Sequence, residues 1–297
     1  MATLYTHQTE NISKTWALMF VFLCVVIAVG WAISLYFNNP GILTVAVVMA
    51  VLMNIFSYWF SDSIVIAMAG AKPAEGSEWL ELNRIVENLS ITAGLPKPKV
   101  YIINDPAPNA FATGRSPKHA AVAVTTGLLN MMDRSELEGV LAHELSHIGN
   151  RDMVVSTVAV VLVGFVTIVA DFFWRAVFFG GGDRDRDNRN PLIAVIAIAL
   201  VVLAPIIATL LQLAISRRRE FLADASGALL TRYPEGLASA LQKIGSYSAP
   251  MRTANNATAH LYIANPFGAG AARSFITKLF STHPPVEERV KALLGHH

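Results

Sequence analysis

His143, Glu144 and His147 occur together in the string HELSH, inside residues 135–149, SELEGVLAHELSHIG. On a helix the two histidines lie one turn apart and share a face, so both imidazoles reach a single ion. Glu144, next to the first histidine, then falls beside an ion-bound water rather than on the ion. A zinc ion held in this way brings its water to a pKa of about 7, and the neighbouring carboxylate takes the proton. The chemistry on offer is therefore metal-assisted hydrolysis, with one Zn2+ per chain as the cofactor. The bland alternative is a helix carrying two ordinary histidines and a surface acid. Three fixed positions filled by two uncommon residue types, in an apolar helical context, argue against it.

The helix that must hold these residues has its own local signals. Ser135 with Glu138 three residues on reads as a capping box, and Gly149-Asn150 as a stop, which gives about four turns. The surroundings are unusual for a water-soluble enzyme. Of the 297 residues, 54% are hydrophobic and only 15% charged, so the chain is expected to be embedded in a lipid bilayer. The formal net charge of +2 is small and no basic patch is interleaved with aromatics, so nucleic acid is not an expected partner. Cys24, the one cysteine, sits in an apolar run and leaves no intramolecular disulfide or cysteine-based metal site.

Four apolar runs order the chain. After a polar N-terminal tail, 1–14, residues 15–37 and 42–60 form a first transmembrane hairpin over 15–60, turning at Asn38-Asn39-Pro40-Gly41. Residues 61–152 have a soluble composition and make the first part of a catalytic domain. In it, 78–93 has the spacing of an amphipathic helix, while 99–103, 110–113 and 120–124 read as short strands. Residues 153–170 and 191–216 form a second hairpin over 153–216, separated by a loop of nearly balanced charge. Residues 217–297 return to a soluble, helical composition, with helices at 220–230, 234–244 and 284–294, the last with proline in its first turn. The expected class is an α+β membrane protein: four transmembrane helices, plus a mostly helical zincin-like domain with a small β-sheet.

Two histidines and one position open for water leave one protein ligand to find. Glu220, His260, His283 and the acids of the first soluble segment are the candidates. Topology favours Glu220. Two spans separate it from His147, so the chain returns to the side it left, and both residues lie within roughly 10 Å of the bilayer at 1.5 Å per helical residue. Asp224, one turn beyond Glu220, is placed to hold a ligand histidine by its other ring nitrogen, or else to pair with the preceding arginines. Lys14, Lys72, Arg151 and Arg217 to Arg219 all flank spans on the side of the soluble segments. By the positive-inside rule both termini and the catalytic domain are expected in the cytoplasm.

The motifs now in view resemble those of the HtpX-type membrane-bound zinc metalloproteases, gluzincins related to the CAAX prenyl proteases. The likeness runs over nearly the whole chain: NAFATG (109–114), HELSH (143–147), EFLAD (220–224) and THPPVEER (282–289), in that order among four apolar runs. It implies that His143, His147 and Glu220 bind zinc and that Glu144 is the general base and later the proton donor. It further implies that Asn109, Ala110, Phe111 and the residues up to Thr113 lie on an edge strand pairing with extended substrate. His283 would stabilise the oxyanion with Arg289 in support, although His283 also reads as a cap for the helix after it. The implied activity is a zinc endopeptidase of the bacterial inner membrane, cutting membrane-protein or unfolded polypeptide substrates at cytoplasmic or juxtamembrane segments in quality control and stress response. A zinc-binding membrane chaperone or scaffold and a protease for lipid-modified peptides are the competing readings. A transporter would carry ionisable groups within its spans, and here they gather at span ends.

Overall fold

A computed structural model describes residues 4–36, 38–162, 164, 217–254, 258–268 and 284–295. Helix α1, Leu4–Tyr36, is continuous with its polar start, so residues 4–14 are helical rather than a loose tail. A Lys14–Glu10 ion pair one turn apart supports that extension. At 1.5 Å per residue α1 is about 50 Å long, more than the roughly 30 Å needed to cross a hydrocarbon core. Asn39 caps α2, Pro40–Trp59, by accepting the N–H of Gly41. The stretch Thr9–Trp31 of α1 and α2 itself are both long and apolar enough to cross a membrane, and many of their large side chains face outward, Trp16, Phe20, Val45 and Phe56 among them. Of the second expected hairpin, the structure describes an apolar helix, Asp152–Leu162, at its start. Apart from residue 164 its remainder, including the whole of 191–216, lies outside the described residues.

The described residues after the first hairpin follow the expected elements closely. Helix α3, Ser61–Met68, leads from the hairpin to β1, Lys72–Pro73, and α4, Leu80–Ala93, buries Leu82, Ile85, Val86 and Leu89. Gly94 ends α4 in the left-handed conformation, φ 66°. Strands β2 (Lys99–Ile103), β3 (Ala110–Gly114) and β4 (Ala120–Thr125) join β1 in one sheet of order β1-β2-β4-β3. β2 and β4 are parallel; β3 runs antiparallel to β4, with Phe111 opposite Ala123, and forms an edge. A short helix α5, Thr126–Met131, precedes α6, Arg134–Asn150. One face of the sheet and the inner faces of α4 and α6 share a core that includes Val86, Val122, Leu141 and Leu145.

Helix α6 carries the HELSH string but begins earlier than its sequence suggests. The capping box is Asp133 with Glu136: the Asp133 carboxylate accepts the Glu136 N–H, and the Glu136 carboxylate accepts the Asp133 N–H, both at 2.9 Å. Ser135 instead donates to Asp133, and Glu138 pairs with Arg134 one turn back. The stop is also later, at Arg151, a non-glycine residue with φ 59°. The apolar helix Asp152–Leu162 follows at once and is α7. Beyond it lie α8, Arg217–Thr231; α9, Pro234–Ser246; and α10, Val286–Leu294. Pro284 and Pro285 precede α10 rather than filling its first turn.

Candidate metal centre

Helix α6 supplies His143, Glu144 and His147, and α8 supplies Glu220 and Asp224, so the site depends on how closely these two helices approach. Gly227 sets that approach. A Cβ there would stand 2.9 Å from the backbone nitrogen of His143 and 3.1 Å from its Cα. On another face of α6, Gly139 lies against α9, where a Cβ would come within 2.7 Å of the Leu237 nitrogen. Glu136 fastens the same pair of helices, accepting from Lys243 Nζ and Ser239 Oγ at 2.6 Å each.

At the crossing the two histidine Nε2 atoms are 3.1 Å apart. Glu220 places Oε2 3.8 Å from His143 Nε2 and Oε1 3.6 Å from His147 Nε2. Two donors each about 2.1 Å from a tetrahedral ion stand roughly 3.4 Å apart, so the three side chains fit zinc. No fourth histidine, cysteine, aspartate or glutamate joins this group among the described residues. His260 does not: it is buried with Nε2 3.4 Å from the Ser156 carbonyl of α7.

Each histidine presents Nε2 because its Nδ1 is engaged. His143 Nδ1 is 2.9 Å from Asp224 Oδ1, and His147 Nδ1 is 3.2 Å from Asp152 Oδ2. Arg289, at 1% exposure, grips Asp224 with Nε at 2.8 Å and Nη2 at 2.6 Å, and its Nη1 lies 3.8 Å from Glu220 Oε2. The same Nη1 donates to the Ile263 carbonyl at 3.3 Å. Burial would raise the Asp224 carboxyl, but the bonds from Arg289 and His143 outweigh it and hold the group at about 2.

Burial pushes the His143 ring down to about 4 against the pull of Asp224. For His147 burial acts the same way, but the bond to Asp152 and the charge of Glu220 prevail and raise it to about 9. The opposite directions make sense, since two Nε2 atoms at this separation cannot both carry protons. Burial and the nearby Glu220 push Glu144 up to about 7, against the charge of His147 and a hydrogen bond donated by the Ala112 N–H of β3. Glu144 is thus a base poised near neutrality, held against the sheet edge.

Of the residues expected on the substrate-pairing strand, Asn109 stands just before β3 instead of within it. Its side chain is taken up by the chain: Nδ2 donates to the Ala264 carbonyl at 3.0 Å, and Oδ1 accepts from the Ala110 and Ala264 nitrogens. The Ala110 carbonyl accepts from Ile263 N at 2.9 Å, and Phe111 is fully buried edge-on against Tyr262. At the far end Thr157 of α7 hydrogen-bonds Thr113 Oγ1 and Gly114 N. Between these two closures lies Ala112, the residue facing Glu144. His283 lies outside the described residues. The sequence reading missed Asp152, whose only local signal was an acid just past the end of the ligand helix.

A model of peptidase family M48 matches residues 77–297. The chain is 48% identical over 297 residues to a protein named protease HtpX homolog from Caldanaerobacter subterraneus subsp. tengcongensis, covering 98% of this chain and 97% of that one. It is 48% identical over 282 residues to the protein of the same name from Pyrococcus furiosus, covering 94% of each. The crystal structure of S. mikatae Ste24p matches with a TM-score of 0.51 and 18% identity, over 97% of this chain and 67% of that one, and shows a shared fold. Matched along its length by such relatives, and bringing two histidines and a glutamate to one point beside membrane-length helices, the chain belongs to peptidase family M48 and is a membrane metalloprotease.

Proposed function

We propose that the protein is a zinc-dependent endopeptidase of the inner membrane that cuts membrane or misfolded proteins at cytoplasmic and juxtamembrane segments, in membrane-protein quality control. The observation that carries this reading is the convergence of His143, His147 and Glu220 directly at the start of the apolar helix α7, with Glu144 alongside and Ala112 at the sheet edge. A site placed there meets polypeptide where it leaves a bilayer. When bound, zinc supplies a Lewis acid for the scissile carbonyl and an acidified water.

His143, His147 and Glu220 hold the ion, and Asp224 and Asp152 orient the two rings. Glu144 takes the proton of the attacking water on its carboxylate and returns it to the nitrogen of the leaving amine. With the Ala112 N–H taken by Glu144, the Ala112 carbonyl is the strand group assigned to an extended substrate's main chain, a contact that is indifferent to side chains and suits a protease of broad specificity. His283 is assigned to the oxyanion, and Arg289 supports the centre through its grip on Asp224 and its nearness to Glu220. The absence of a fourth side chain in the group, among the described residues, supports an open catalytic position over the closed coordination of a structural scaffold.

The test is cleavage of an unfolded membrane protein by the detergent-purified chain, comparing wild type with Glu144→Gln at matched zinc content. The Gln variant should retain zinc and lose activity by about 100-fold or more. Activity in wild type alone, lost to chelator and restored by zinc, is the expected result. Near-wild-type turnover by Glu144→Gln would remove the general-base assignment.

A further inference from the structure

Asn11 lies on the polar first turns of α1, far in sequence from the metal centre, yet it is only 3% exposed and both hydrogens of its amide are in use. One goes to the Asn150 carbonyl at 3.0 Å, at the last residue of α6. The other goes to Asp152 Oδ1 at 2.8 Å, at the first residue of α7. The amide therefore brackets the turn between the two helices, whose middle residue, Arg151, is in the left-handed conformation that non-glycine residues seldom adopt. The second oxygen of Asp152 is the one that faces His147 Nδ1 at 3.2 Å. Thr15, buried one turn further along α1, donates back to the Asn11 carbonyl at 2.9 Å and fixes that part of the helix.

We propose that Asn11 is a positioning residue for the metal centre: it clasps the Asn150–Asp152 turn, aims the Asp152 carboxylate at His147, and so holds His147 Nε2 towards the ion. The site is then complete only when the first membrane helix is docked against the ligand-bearing helix. Arg219, from the turn of α8 that also carries Glu220, reaches Asp152 Oδ1 at 3.7 Å, so three separate helices meet at this one carboxylate. Removing a partner that orients a ligand histidine typically weakens metal binding 10- to 100-fold. Asn11 acts one bond further out, and its effect must pass through Asp152.

That chain of dependence gives the test, which rests on the ligand assignment proposed above. Zinc affinity is measured by chelator competition on the full-length, detergent-purified protein for wild type, Asn11→Leu, Asp152→Asn, the double variant and His147→Ala, with the absorption spectrum of the Co2+-loaded forms alongside. Each single variant at the clasp should bind zinc about tenfold more weakly or worse, with a Co2+ spectrum displaced from wild type in the same sense. The double variant should bind no more weakly than Asp152→Asn by more than about twofold, because the two residues act in series. Wild-type affinity and spectrum in Asn11→Leu, or losses that multiply in the double variant, would overturn the proposal and leave Asn11 a helix-packing residue. If His147→Ala binds zinc as tightly as wild type, the ligand assignment itself falls and the proposal with it. Should Asn11→Leu not fold in detergent, Asn11→Ser removes the amide at smaller cost in polarity and is expected to show the same loss.

Discussion

Protons and zinc compete for the same nitrogens at this centre, and the competition has a definite sign. In the metal-free protein His147 is raised to about 9, so below that pH its Nε2 holds a proton that the ion must displace. His143, lowered to about 4, is already free over the same range. Zinc affinity should therefore fall as pH falls from about 9, approaching tenfold per unit, with about one proton released per ion bound. Chelator competition across that range reads it, and an affinity independent of pH would place the proton elsewhere. Asp224 offers a second prediction. Its native carboxyl sits at about 2 against an ordinary 3.8, so its contribution to stability is complete above that ordinary value and disappears as pH falls towards the native one. Replacing Asp224 by Ala at neutral pH leaves the buried Arg289 cation without its bidentate partner, which costs about 3–5 kcal/mol. Denaturant unfolding should show that loss, together with weaker zinc binding from a His143 ring no longer held at Nδ1.

Two helices make the centre, and a single missing side chain decides how near they come. A Cβ at Gly227 would intrude on the His143 backbone, which cannot swing aside as a flexible side chain would. Gly227→Ala is expected to cost about 1–3 kcal/mol and to spread Glu220 away from the histidines, lowering zinc affinity. Gly149→Ala, on the same ligand helix, meets nothing nearer than Leu95 at 3.7 Å and should be tolerated or slightly stabilising. Equal effects at the two positions would deny Gly227 its special place. Such contacts show where sequence reasoning ends. The ligand helix and strands β2 to β4 were legible, because two histidines one turn apart and β-branched runs between Pro, Gly and Asn are local patterns. Glu220 was legible only through an expected topology, as the acid that two crossings would bring back to the histidines, and the structure places it beside them. The helix start was misread by two residues because Asp133-Arg134-Ser135-Glu136 offers several capping arrangements, and the one realised also ties Glu136 to Lys243. Asp152 and Asn11 carried no usable signal. Their function comes from a left-handed turn at Arg151 and a contact between distant parts of the chain, neither of which has a periodicity.

At the scale of the whole molecule, the first hairpin is built into the part that carries the metal centre rather than tethered to it. Asn11 reaches the turn after the ligand helix, and at the end of α2 the Arg115 guanidinium stacks 4.9 Å from the Trp59 ring centre and donates to the Trp59 carbonyl. Both contacts come from the same end of the hairpin, the N-terminal part of α1 and the C-terminal end of α2, so the metal centre lies at that end and the Asn38-Asn39 turn at the other. The basic residues Lys14, Lys72, Arg151 and Arg217 to Arg219 lead the positive-inside rule to predict that the end of the hairpin next to the metal centre is the cytoplasmic one. Single-cysteine labelling tests this in cells making the protein with Cys24 replaced by Ser. Asn38→Cys, at an exposed turn position, should react with a membrane-impermeant maleimide in intact cells stripped of their outer barrier. Glu87→Cys, on the exposed side of α4, should react only after the membrane is opened. The reverse pattern would put the protease on the outer face and remove cytoplasmic segments from its substrates. Labelling of both positions in intact cells would mean that the hairpin does not span, and the clasp at Asn11 would then join two parts of a surface-bound protein.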